Sequence, residues 1–73
     1  MVTLQQIQIK LSEAIKLSGL SQSEIANKLN VSNQTVSCYV HGKKLPALDT
    51  FANLCAVLGA DPADILCLSE YEK

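Results

Sequence analysis

The chain has 73 residues, 48% of them hydrophobic, which is enough for one domain with a single core and too few for two. Six lysines, no arginine and seven carboxylates leave a formal net charge of −1, so no overall basic field is present to attract polyanions. A spanning helix needs roughly 20 consecutive apolar residues, and glycine, lysine or aspartate interrupts every apolar run well short of that, so no membrane partner is expected.

Residues 1–10 carry glutamines among their apolar positions and lack the basic start and small-residue cleavage site of a signal peptide, so a cytoplasmic location is expected. Cys38, Cys55 and Cys67 are odd in number, with 16 and 11 residues between them, which fits neither a disulfide framework nor paired zinc ligands. Cys55 and Cys67 stand among apolar residues and are expected to be buried thiols, leaving Cys38 as the exposed one.

Glycines at 19, 42 and 59 and prolines at 46 and 62 cut the chain into short segments whose apolar residues recur every three or four positions, an all-α pattern. Thr3 with Gln6 forms a capping box that starts a first helix at about 4–18, with Leu4, Ile7, Leu11, Ala14 and Ile15 on its inner face and Gly19 as its stop. Ser21 with Glu24 starts a second helix, about 22–29, turning Ile25, Ala26 and Leu29 inward. It ends at Asn30, which tolerates a positive φ. Ser32 caps a third helix, about 33–41, with Val36, Tyr39 and Val40 inward and Gly42 closing it. After the loop at 43–46, Leu48, Phe51, Ala52, Leu54, Cys55 and Leu58 define the core face of a fourth helix, about 48–58. Asp61, Pro62 and Asp64 supply the cap, first-turn proline and first-turn carboxylate of a fifth, about 62–67. The whole of 1–73 is expected to form one compact five-helix domain, with a short fraying tail at 69–73.

Between Gln22 and Val40 the spacing predicts two helices that cross steeply, with the small Ala26 allowing close approach and Val31 and Val36 anchoring the second helix on the first. The outward residues of that second helix are then Asn33, Gln34, Ser37 and Cys38. They are uncharged and mostly hydrogen-bonding, unlike the lysine and glutamate of an ordinary solvated face, and suit a helix reading base edges in a DNA major groove.

The run Leu20 to Ala26, then Leu29 to Ser32, Thr35 to Ser37, Gly42 to Lys44 and Pro46 resembles the helix-turn-helix family of Cro and lambda-type phage repressors, also called the xenobiotic-response-element family. The resemblance covers about residues 4 to 68. It implies a lambda-repressor-like domain whose second and third helices form the motif, with the third in the major groove. Carried over by position, Gln22 matches a phosphate contact that also buttresses a base-reading side chain, and Lys43 matches the phosphate contact after the recognition helix. The candidate DNA-contacting set is Gln22, Ser32, Asn33, Gln34, Ser37, Cys38, Lys43 and Lys44. Asn and Gln pair with adenine in bidentate fashion, so half-sites containing adenine are expected. Three positions depart from the family pattern: Asn30 replaces the usual turn glycine, Val40 a common glutamate and Ile15 a common arginine.

Thr35 is expected to be a structural first-turn residue, Tyr39 a core residue, and Lys44 either a phosphate contact or merely solvated. His41 has no second ligand at helical spacing, so no metal is expected, and no cofactor. Neither a nucleophile–histidine arrangement nor a glycine-rich phosphate loop is present, and Asp61 and Asp64 read as helix-start residues, so an enzyme is disfavoured. The expected function is sequence-specific binding of double-stranded DNA as a small transcriptional repressor. A homodimer on a pseudo-palindromic operator would supply the affinity, pairing through the apolar Ile65, Leu66 and Leu68. An antitoxin or adaptor that uses the same fold to hold a protein is the alternative. Residues 1–44 carry five lysines against two glutamates and residues 45–73 one lysine against five carboxylates, which predicts a basic half holding the motif and an acidic half facing elsewhere.

Overall fold

The computed structural model describes residues 1–68, and four of the five helices in that range start where the capping residues place them. Thr3 Oγ1 accepts the Gln6 amide at 3.2 Å while Gln6 Oε1 accepts the Thr3 amide at 2.8 Å, opening α1, Leu4–Leu17. Ser21 and Glu24 make the same reciprocal pair at 3.1 and 3.3 Å ahead of α2, Gln22–Leu29. Ser32 Oγ takes the Thr35 amide at 3.2 Å to start α3, Asn33–Val40. The fourth helix, α4, Leu48–Leu58, begins after Ala47 with no side-chain cap, and α5, Pro62–Ile65, begins with Asp61 accepting the Ala63 amide at 3.0 Å. Each capped start satisfies first-turn donors that have no partner inside the helix. No strand occurs among the described residues, and the expectation for 69–73 lies outside them.

Three helices end with the same geometry. Asn30 adopts φ 58°, and its amide and that of Val31 return to the carbonyls of Asn27 and Ala26 at 3.2 and 3.0 Å. Gly42 and Lys43 close α3, and Gly59 and Ala60 close α4, in the same crossed pattern, with Gly42 at φ 70° and Gly59 at φ 66°. This left-handed closure absorbs carbonyls that the last turn leaves unpaired. Asn30 fills the role at the turn between α2 and α3 because its short polar side chain tolerates the left-handed region.

The core collects Leu11 and Ile15 from α1, Ile25 and Ala26 from α2, Val36 and Tyr39 from α3, Leu54 and Cys55 from α4, and Ile65 from α5. It contains no buried charged residue among those described. α1 packs on α3 and α5, and α2 on α3 and α4, so α3 is held from two sides while its third side faces out. Ile15 and Val40 join this apolar packing: Ile15 is buried and Val40 half-buried against the core.

The structure departs from the periodicity at helix ends. Leu4 is 66% exposed and Leu48 88% exposed, although both lie on or beside the expected inner faces. Each is the first residue of its helix, and the sequence period specifies a direction around the axis, not whether a neighbouring helix extends far enough to meet it. Ala52 is exposed as well, because it stands about 100° around the axis from Phe51 and outside the stripe that faces α2. The helices end at Leu17, Val40 and Ile65, one, one and two residues before their expected limits. In the last case Cys67 adopts a left-handed φ of 59°, which stops α5, and its amide bonds to Asp64 O at 3.2 Å. Cys55 and Cys67 are buried as expected, whereas Cys38 is only half-exposed.

Asn30→Ala forces an alanine into the left-handed region and is expected to lower stability by about 1 kcal/mol, whereas Asn30→Gly stays near the wild-type value or above it. Urea unfolding of the two variants checks this contrast.

Candidate nucleic-acid interface

The free side of α3 presents Asn33 and Gln34 exposed, with Ser37 and Cys38 half-buried. Val36 and Tyr39 point the opposite way, at 0% and 4% exposure. The outward row is thus uncharged from its first turn to its last, and its two most accessible members end in amides that donate and accept at once.

Asn33 is held in place. Its Nδ2 donates to Ser23 Oγ at 2.9 Å, a bridge from the first turn of α3 to the first turn of α2. This leaves the second N–H of the amide and the carbonyl oxygen Oδ1 facing outward, the pair that adenine recognition uses. This brace comes from Ser23, one residue further along α2 than Gln22. Gln22 is exposed at the first position of α2, brought beside the α3 start by the same bridge. Ser32, also exposed, shares its hydroxyl with Thr35 Oγ1 at 2.8 Å besides capping the helix, so Thr35 has the structural role expected of it.

Lys43 and Lys44 lie exposed immediately after the Gly42 turn, flanking the far end of α3. The amide of Lys43 is bonded to Cys38 O at 2.9 Å, and the carbonyl of Gly42 accepts from Gln8 Nε2 at 3.0 Å. The other lysines do not all gather here. Lys16 lines a cleft beside His41 and Gly42, but Lys10 lines a groove with Asp61 and Asp64. Lys10 and Lys16 are six residues apart, about 240° around the axis, and lie on different sides of α1, so the basic half of the sequence is not confined to one face.

A family model described as helix-turn-helix matches residues 11–65. It spans α2, the Asn30 turn, α3 and the Gly42 loop within a continuous stretch covering most of the chain. The protein belongs to the Cro/C1-type helix-turn-helix family. Its members are DNA-binding transcription regulators and not enzymes. No curated protein and no solved structure matches the chain at a significant level. The five-helix, strand-free arrangement agrees with a lambda-repressor-like fold, and no helix among the described residues is long and apolar enough to cross a membrane.

Two residues of this helix-turn-helix surface escape a reading of the sequence: Ser23 and Gln8. Ser23 lies ten positions before its partner and shows no local signal beyond being a helix-start serine. Gln8 reaches across 34 positions and is one of three glutamines in the first half of α1. Neither bond has a period or a spacing that a single chain displays.

Burial pushes the Tyr39 phenol above its ordinary range, and the adjacent Cys38 thiolate raises it further. Burial likewise raises the Cys55 thiol, with a smaller push from Asp61. In both cases the folded state prefers the protonated form, so the stability is complete below the ordinary pKa of each group and is lost as pH climbs through the raised one. Stability is expected to fall above about pH 9. Tyr39→Phe removes one of the two contributions, so its unfolding free energy should decline less steeply with pH, as measured by urea melts across the alkaline range.

Proposed function

We propose that this protein is a small sequence-specific transcriptional repressor that lays α3 in the major groove of its operator. The observation that carries the reading is the outward row of α3: exposed Asn33 and Gln34, the former braced by Ser23, followed by Ser37 and Cys38 with no charged residue among them. Amide side chains at the start of a recognition helix match the donor and acceptor pattern of adenine. The short Ser37 and Cys38 permit close approach and contact with a thymine methyl. Gln22 and Ser32 at the two helix starts, and Lys43 and Lys44 at the far end of α3, are the backbone contacts that set register. With so few lysines near the groove, non-specific affinity is modest and sequence reading carries a large share of the binding.

A single motif of this size covers little DNA, so the protein acts as a homodimer on a pseudo-palindromic operator, with half-sites about one helical turn, ~34 Å, apart. The dimer surface lies at the C-terminal helix region, in the cytoplasm where the operator is met. Ile65 does not belong to that surface. It is 2% exposed and part of the core, which leaves the half-buried Leu66 and the 42% exposed Leu68 as its apolar side chains among the described residues. Light scattering at micromolar concentration is expected to give the dimer mass; a monomer that protects one half-site in footprinting contradicts it.

Selection of binding sequences from a random duplex library at two salt concentrations tests the reading as a whole. A palindrome with adenine in each half-site is expected, and recovery of no enriched sequence overturns the proposal. Gln34→Ala is expected to cost about 1 to 3 kcal/mol and to relax preference at one base pair, whereas Lys43→Ala weakens all sequences alike and lowers the salt slope by about 1. Competition titrations against the selected site and its single-base variants separate the two outcomes.

A further inference from the structure

The peptide unit joining Gly42 to Lys43 is pinned at both of its polar groups. Its N–H, contributed by Lys43, is bonded to Cys38 O at 2.9 Å as the last link of the α3 closure. Its carbonyl, contributed by Gly42, accepts from Gln8 Nε2 at 3.0 Å in a half-buried bond from α1. The Gln8 side chain also lies over the glycine: a Cβ at Gly42 would meet Gln8 Oε1, Cδ and Cβ at 3.7, 3.8 and 3.9 Å. A helix closure alone satisfies only the N–H of this unit and leaves the carbonyl to water. With the carbonyl tied to α1 as well, the plane of the peptide is set, and with it the position of the Lys43 Cα from which the exposed side chain departs.

We propose that Gln8 is a positioning residue for DNA-backbone binding, acting through the Gly42 carbonyl to pre-orient Lys43. This rests on the assignment of Lys43 as a phosphate contact. Loops that are ordered only on binding lose affinity to the entropy of ordering, and a loop already ordered does not. Gln8 touches no DNA in this scheme; it delivers a lysine that does. Because a phosphate contact carries no base information, the effect of Gln8 is the same for every sequence.

Gln8→Met tests this, since methionine keeps the length and helix preference of glutamine, adds no charge and removes the donor. Affinity for operator and unrelated duplex is expected to fall equally, by about three- to tenfold, with base preference unchanged and the salt slope reduced toward that of Lys43→Ala. Adding Lys43→Ala to Gln8→Met should cost less than the product of the two single losses. Full additivity, or a lowered melting temperature with affinity and salt slope intact, overturns the proposal and leaves Gln8 a purely structural residue. If the wild-type protein binds no duplex, the DNA reading is what fails. Hydrogen exchange of the Lys43 amide then still tests the pinning: Gln8→Met should speed it, and an unchanged rate overturns the role of Gln8.

Discussion

The backbone of Asn30 is the constraint on which the helix-turn-helix depends. Only residues 30 to 32 separate the last residue of α2 from the first of α3, and the chain must reverse its path within them. A left-handed residue at 30 does this while returning two amides to α2, and Ser32 then caps α3 at once. The crossing of the two helices follows, with Ala26 at 2% exposure on one side and Val36 at 0% on the other. Had residue 30 taken a right-handed conformation, α2 would have run on and α3 would have lost its position against α1.

From that crossing comes the division of α3 into an apolar side and an outward polar side. α1 and α2 cover Val36 and Tyr39, and what remains uncovered is the row from Asn33 to Cys38. Ile15 and Val40 belong to the apolar packing, so α1 and α3 adhere through nonpolar contacts. What apolar packing does not supply is direction. Directional links appear at the two ends of α3 instead, where Ser23 holds Asn33 and Gln8 holds the Gly42 carbonyl.

Much of this was legible in the chain because it is local. A capping residue, an αL residue or a first-turn proline is decided by atoms within about four residues of each other, and caps placed the starts of four helices, α4 being the exception. The inward positions of α2 and α3 were equally legible, since each helix shows one apolar stripe and the stripe must face its neighbours. The outward residues Asn33, Gln34, Ser37 and Cys38 followed by subtraction, and the family resemblance supplied their meaning.

The errors fall where a distant segment decides. Leu4 and Leu48 have the right phase but no opposing helix at their height, and Ile65, read as a surface for a second copy, is taken into the core by α1, on which α5 packs. Lys10 belongs to the basic half of the sequence and still sits with Asp61 and Asp64. Ser23 meets Asn33, ten positions away, because of how α2 is rotated against α3, an angle set by the whole core. The sequence by itself therefore determined the helices, their turns and the chemistry of the reading face, all of which rest on short-range geometry. Only the tertiary structure decided which polar groups meet across helices, because a side-chain hydrogen bond depends on ångström-scale placement of two elements that no local pattern encodes.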